Sequence, residues 1–438
     1  MKFINIHRYR SIAMVLFLFV MTWSVADEVR DQSAGNEPSL SLKEAVGAAL
    51  DYDPALRALR HRIQSLEAEV MQAKVFPNPE IEGEVENVAG NGAFSGTDAA
   101  EYTVVLSQPI LLGGKRSKQV RVADLDRRLA EWTYESTKRE LIKSVTVAYI
   151  EVLVAREQIN LSEKMVLLSD ELLEAAERRV KSGAASVLEQ TKAEIERATS
   201  IAEQEQMTRR QRTSRRKLAT LVGKATNDVT SIAGNLYELH DLPSFEDLMR
   251  RLTDNPNWAR WNDELKQREA AVALEDVQRI PDLSLGVGWR RDEGADSDGF
   301  VFAASMPLPL FNRSQSARQA ARNEQAAAIE ERRATKLKLE SELADVYSDL
   351  SQAHGQAQAI EEKILPAANR AFDVSREGYL QGRFGFLDLI DAQRTLVETR
   401  GKQIETLSKY HQAFAEIESL TGRTENDRDV AAEEQTLP

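Results

Sequence analysis

Nearly the same pattern is written twice along this chain, and that repetition narrows the possible folds more than any other feature. From Leu141, apolar and small residues recur in steps that alternate four and three: Leu141, Val145, Ala148, Val152, Ala155, Ile159, Ser162, Val166, Ser169, Leu173 and Ala176. From Leu339 the same steps run through Leu343, Val346, Leu350, Ala353, Ala357, Ile360, Ile364, Ala367, Ala371 and Val374, each 198 positions further on. Gln108-Pro109 and Met306-Pro307 keep that spacing, whereas Gly183 and Gly382, and Leu221-Val222-Gly223 and Leu420-Thr421-Gly422, stand 199 apart. Chance does not hold a heptad in phase across two halves, so the chain is a tandem duplication. A sustained alternation of four and three is the seam of a coiled coil.

Each half predicts the same elements. A helix of about 33 residues runs up to Pro77 or Pro281, and two short extended segments follow. A very long helix then spans Lys115 to Lys181, or Ser314 to Leu380; at 1.5 Å per residue it reaches about 100 Å. A turn at Gly183 or Gly382 reverses the chain, and a helix of about 37 residues returns to Gly223 or Gly422. The implied boundaries are a leader over 1–26, a linker over 27–39 and a first repeat over 40–223, with strands in 79–109 and a helical hairpin over 115–223. An inter-repeat linker covers 224–241. The second repeat spans 242–423, with strands in 281–307 and a hairpin over 314–422. The acidic tail over 424–438 is expected to be disordered.

The leader has its own logic. Lys2, Arg8 and Arg10 precede an unbroken apolar run from Ile12 to Met21, and Ser24-Val25-Ala26 offers small residues for cleavage. This is the pattern of a secretory signal peptide, with an uncleaved anchor as the alternative. Downstream, no apolar run is long enough for a membrane helix, so any entry into a membrane must be as a β-barrel.

Four segments suit that role. Ile81, Gly83 and Val85 alternate with Glu80, Glu82, Glu84 and Glu86. Tyr102, Val104 and Leu106 form a second apolar row; Leu283, Leu285, Val287 and Trp289 a third; Phe300, Phe302, Ala304 and Met306 a fourth. These predict strands over 80–88, 101–108, 282–290 and 300–306, paired as two hairpins through Gly- and Asp-rich loops. A half-buried soluble sheet shows the same alternation. Four strands cannot close a barrel, and open edges in lipid leave backbone groups unpaired. Copies must therefore assemble, and three copies, with twelve strands, are the fewest expected to leave a water-filled lumen.

The chain resembles the TolC-like outer-membrane efflux channels, in particular the branch associated with cation and heavy-metal efflux. The resemblance rests on Leu106-Ser107-Gln108-Pro109-Ile110 followed by Leu112-Gly113-Gly114-Lys115-Arg116, and on Tyr379, Gly382 and Leu387-Asp388-Leu389-Ile390-Asp391-Ala392-Gln393-Arg394. It covers about Leu40 to Arg423. It implies a mainly α fold with a small β part: a homotrimer whose twelve-stranded outer-membrane β-barrel continues into a periplasmic α-helical tunnel. It also implies docking on an inner-membrane pump, of the resistance-nodulation-division (RND) type, through a periplasmic adaptor. Relatives of both branches often carry an N-terminal lipid-bearing cysteine; this chain has no cysteine, so no lipidation is expected. A periplasmic adaptor or a structural envelope coiled coil are the alternatives.

The resemblance places Asp388 and Asp391 at a periplasmic constriction, where six carboxylates per trimer would form an electrostatic gate. The plainer account is that acids favour a helix start. Phe384 stands where the family carries a gate-tethering arginine, with Arg383 beside it. Gly183 and Gly382 permit the tight turns at the hairpin tips, which in the family meet the adaptor. If Ile81, Gly83 and Val85 face lipid, then Glu80, Glu82, Glu84 and Glu86 line the barrel lumen. The alternative places that segment above the membrane, with its acids binding divalent ions at lipid headgroups.

Other features point away from chemistry. Five scattered histidines, His7, His61, His240, His354 and His411, and no cysteine make a metal or catalytic centre unexpected, and no cofactor site is read. Gly113-Gly114-Lys115 lacks the remaining residues of a phosphate loop. The basic run Arg209, Arg210, Arg212, Arg215, Arg216 and Lys217 reads as a solvated helix face, and a net charge of −13 argues against nucleic acid.

Overall fold

The computed structural model describes residues 39–226, 229 and 231–422. The expected leader, the linker up to residue 38 and the tail over 424–438 fall outside them.

The opening helix of about 33 residues is in fact two, α1 (Leu42–Tyr52) and α2 (Pro54–Ala73). Proline has no amide hydrogen and is tolerated only in a first turn. Pro54 therefore starts a new helix, and the Asp53 side chain caps it by accepting from the Leu56 amide at 2.7 Å. Its counterpart breaks into α5 (Phe245–Arg251), α6 (Pro256–Ala259) and α7 (Trp261–Gln278), with Asn255 capping before Pro256. The strands follow: β1 (Glu80–Glu86) and β2 (Glu101–Ile110) in the first repeat, β3 (Leu283–Asp292) and β4 (Ser297–Ser305) in the second. β1 ends before its expected limit because Asn87 and Ala89 turn into the left-handed region (φ 56° and 57°).

The first long helix is continuous: α3 (Lys115–Lys181) has 67 residues, and α4 (Val187–Leu221) returns beside it. The second is not. It divides into α8 (Gln315–Ala359), one π turn over Ile360–Ile364, and α9 (Leu365–Leu380), before α10 (Phe386–Thr421) returns. Pro366 explains the break. It cannot donate to the helical ladder, and its ring crowds the carbonyl four residues back, so the preceding turn widens. A π turn takes in one additional residue, and it is here that the repeat spacing passes from 198 to 199. The seam counted in the sequence through Ile364, Ala367, Ala371 and Val374 is therefore out of phase. Ile364 and Val374 are 48% and 60% exposed, while Ala368, Phe372 and Tyr379 are buried.

The strands form one antiparallel sheet in the order β1-β2-β3-β4, not two separate hairpins. The junction is β2 against β3, across the repeats, with Leu106 opposite Val287 and Val104 opposite Trp289. Neighbours across a register share a face. One face carries Ile81, Leu106, Val287 and Phe302, then Val104, Trp289 and Phe300. Phe300 and Phe302 are 82% and 83% exposed, so none of the described residues covers this apolar face.

Each level of the molecule repeats one plan. Beside the sheet, α2 packs on α3, α3 on α7 and α7 on α8. Lower down, α4 packs on α3, α3 on α10 and α10 on α8 and α9. In every tier a first-repeat element forms one edge, a second-repeat element forms the other, and the repeats meet in the middle. The core follows that middle, with Val145, Ala148 and Val152 of α3 against Ile404 and Leu407 of α10. The segment expected as an inter-repeat linker is packed too: Val229, Ile232 and Leu236 are buried, and the Tyr149 hydroxyl shares its one proton between the carbonyls of Leu40 (2.8 Å) and Ala233 (2.5 Å).

At the strand-to-helix junction Lys115, 5% exposed, places its Nζ 2.9 Å from Asp282 Oδ1, which also accepts from the Leu112 amide. Arg116 lies over the Phe76 ring at 3.7 Å. Losing one partner of a buried pair strands the other charge. Because Asp282 keeps 34% of its side chain in solvent, the cost lies near the low end, about 3 kcal/mol per chain. Lys115→Met is expected to lower the melting temperature of the assembled protein by several degrees; an unchanged melt would show that the pair contributes nothing.

Candidate functional site

The hairpin tips come together within one chain. Gly183 (φ 75°) ends α3 and Gly382 (φ 71°) ends α9, both in the left-handed region where a side chain costs energy. At the first tip the Gly183 amide donates to the Val180 carbonyl and the Ala184 amide to the Arg179 carbonyl. At the second, the Gly382 amide donates to the Tyr379 carbonyl and the Arg383 amide to the Gly378 carbonyl. Both glycines have open space where a Cβ would be, so conformation alone selects them.

Asp388 and Asp391 lie in the first two turns of α10 and are exposed. The Asp388 Oδ2 accepts from the Gly385 amide at 2.9 Å, so this carboxylate also starts the helix. Leu389 and Gln393, between and beyond them, are buried, which leaves the two aspartates on the outer face of the chain. Phe384 folds over Gly378, where a Cβ would stand 2.1 Å from the ring.

Between the tips is a contact that sequence reasoning missed. The Tyr379 hydroxyl, on α9, donates to Glu189 Oε1 on α4 at 2.6 Å. Arg179, at the end of α3, donates to the Tyr379 carbonyl, stacks over its ring at 4.5 Å and stands 3.7 Å from Glu189. Burial first, and the Glu189 carboxylate second, push the Tyr379 phenol above its ordinary value, so it remains a neutral donor. Tyr379 is fully buried. The three side chains form a latch between the hairpins. The only signal for it in the sequence is an arginine and a glutamate on either side of the Gly183 turn.

At the other end, Glu80, Glu82, Glu84 and Glu86 occupy one face of β1, opposite the apolar face of the sheet. They share it with Val105, Gly286, Gly288 and Arg290. Arg290 tempers the acids nearest the loops: it stands 3.1 Å from Glu101 and 3.9 Å from Glu86, and it donates to the Thr103 hydroxyl at 3.1 Å. Among the described residues no group of three or more acidic or histidine side chains is arranged to hold a metal ion.

A family model described as "Outer membrane efflux protein" matches residues 45–224 and 251–423, the two repeats. The cobalt-zinc-cadmium resistance protein CzcC of Cupriavidus metallidurans is 32% identical over 384 residues, which are 88% of this chain and 90% of that protein. The nickel-cobalt-cadmium resistance protein NccC of Alcaligenes xylosoxydans xylosoxydans is 24% identical over 64% of this chain and 63% of its own length. The solved structure of the outer membrane protein VceC of Vibrio cholerae superposes with a TM-score of 0.73 at 17% identity, covering 87% of this chain and 96% of that one.

Proposed function

The chain belongs to the outer membrane efflux protein family, and on that premise we propose that it is the exit duct of a tripartite pump for divalent metal cations, working as a homotrimer. The observation that carries the assembly is the repeated open edge. Among the described residues β1 and β4 in the sheet, and α2 and α8 beside it, each have one side left without a partner in one copy. A sheet with an uncovered apolar face and two free edges is stable in lipid only when closed. Three copies bring twelve strands and put each first-repeat edge against a second-repeat edge.

In that ring the apolar sheet face meets lipid, and Glu80, Glu82, Glu84 and Glu86 point into the lumen. The hairpin tips, with Asp388 and Asp391, form the periplasmic mouth and meet an adaptor that couples the duct to an inner-membrane pump of the RND type. Energy comes from that pump. The duct contributes a path and a field, and acid rings at both ends favour cations over anions. The cargo reading rests on CzcC, whose name states resistance to cobalt, zinc and cadmium.

Native mass measurement in detergent is expected to give three chains, and a stable membrane-inserted monomer would overturn the assembly. Planar-bilayer recordings test the two acid rings. Asp388→Ala with Asp391→Ala is expected to raise conductance and weaken block by divalent cations; unchanged traces would leave both residues as helix-start acids. Changing Glu80, Glu82, Glu84 and Glu86 to Gln is expected to lower cation-over-anion selectivity and leave the trimer intact. Selectivity that does not move would place these side chains outside the conduction path.

A further inference from the structure

Near its end β3 carries two neighbouring arginines, and strand alternation sends them to opposite faces of the sheet. Arg291 lies on the face of Trp289 and answers acids at the adjoining loop: Glu293, Asp296 and Asp298. Arg290 lies on the other face. Glu84 and Thr103 share its register row, and Glu86, Glu101 and Asp292 form the next row towards the loops. Among the described residues it is the only basic side chain that the four strands place on this face.

Glu86 and Glu101 stand directly opposite each other in the β1–β2 register. Like charges so placed repel, and a pair of facing carboxylates is also what a divalent cation binds. Arg290 takes that place. Its Nη1 is 3.1 Å from Glu101 Oε2 and its Nη2 is 3.9 Å from Glu86 Oε2. Its Nε donates to the hydroxyl of buried Thr103 at 3.1 Å, which fixes the aim of the guanidinium. Asn87 Nδ2 donates to the other Glu101 oxygen at 2.9 Å, so both oxygens of that carboxylate are taken. Towards the helices this pairing stops: Glu80, Glu82 and Glu84 make no ion pair among the described residues.

We propose that Arg290 is a specificity-determining residue of the duct, standing in for a divalent cation between Glu86 and Glu101; this rests on the reading above, in which this face lines the lumen and the cargo is a divalent metal. The unpaired acids Glu80, Glu82 and Glu84 draw cations into the barrel, and Arg290 keeps the rim from retaining them. A conduction path must attract an ion and also let it go. The anchored guanidinium already occupies both rim carboxylates, and displacing it forfeits charge-assisted hydrogen bonds. The rim thus keeps its acids without offering them to the cargo.

Arg290→Gln frees both carboxylates. In planar bilayers, with cadmium ions added on the side of the strand loops, the half-blocking concentration is expected to fall about tenfold, since affinity for a divalent ion follows the number of charged ligands it reaches. Adding Glu86→Gln and Glu101→Gln to the same chain is expected to restore the parent's block; a block that persists would place the metal elsewhere and overturn the proposal. Cation-over-anion selectivity in potassium chloride separates the two readings. Selectivity that rises in Arg290→Gln with an unchanged cadmium block would overturn this role for Arg290 and leave the lumen reading standing. If neither moves, the face lies outside the conduction path and both readings fall. Thermal melts cover a variant that assembles poorly. Cadmium is expected to raise the melting temperature of the Arg290→Gln trimer, or to restore its assembly, and to leave the parent unchanged. An equal response of the two proteins, or no assembly with or without cadmium, would overturn the proposal.

Discussion

Tyr379→Phe, alone or with Glu189→Gln, is expected to raise the open probability of the isolated channel by at least roughly tenfold. The phenol donates to a part-buried carboxylate across the two hairpins of one chain, and a hydrogen bond to a charged group contributes about 1.5–3 kcal/mol. Each 1.4 kcal/mol is about a factor of ten in a two-state equilibrium. Three copies that open together multiply the effect. Glu189→Gln keeps the shape and removes the charge that also holds Arg179, so the two substitutions acting on one contact fall short of additive. The pH dependence has a definite sign. Because the folded phenol is held above its ordinary value, the latch is fully present below about pH 10 and is lost only as pH rises through the folded value. Between pH 6 and pH 9, Tyr379 therefore contributes no change in gating. Bilayer recordings in which both variants match the parent would show that the tips are held together elsewhere.

Gly288→Ala is expected to abolish the stable trimer. A β-carbon at this position would lie 2.3 Å from the Val104 carbonyl oxygen and 2.9 Å from Val105 Cα. These are backbone atoms of β2, which cannot swing aside as a side chain can. The site is at the centre of the sheet, in the one pairing that joins the two repeats. Overpacking a well-ordered site costs about 1–3 kcal/mol, and displaced backbone adds to that in every copy of a closed barrel. The control is Gly83→Ala on β1, where nothing lies within 4 Å of the added atom. The expected result is normal trimer from Gly83→Ala and loss of heat-resistant trimer from Gly288→Ala. Equal yields of both would mean that β2 and β3 are spaced more widely than the structure has them.

What the sequence could show, and what it could not, divides by distance along the chain. The coiled-coil seam, the turns at Gly183 and Gly382 and the two-residue alternation of the strands are local periodicities. Helix and strand geometry put residues a few positions apart on one face whatever the rest of the chain does. So α3 begins and ends where the heptad and its flanking glycines place it, and the duplication is legible without coordinates. The sequence also held the clue to its own misreading. Its repeat spacing passes from 198 to 199, yet a one-residue step cannot be placed without seeing which turn widened. Pro366 limits the choice, and the tertiary structure settles it at Ile360–Ile364.

The remaining features join residues with no local relation. Lys115 meets Asp282 across 167 positions, Tyr379 meets Glu189 across 190, and β2 lies against β3 rather than closing a hairpin of its own. Each depends on how two independently formed repeats were set side by side, and no periodicity within either one encodes that. The sequence by itself determined the elements, their lengths and the need for neighbours, because apolar stripes and open edges must be covered. Only the tertiary structure decided which edges remain open and at what height each side chain meets its partner, because packing two rigid helical hairpins is a choice among registers that the hydrophobic pattern alone leaves nearly equal in energy.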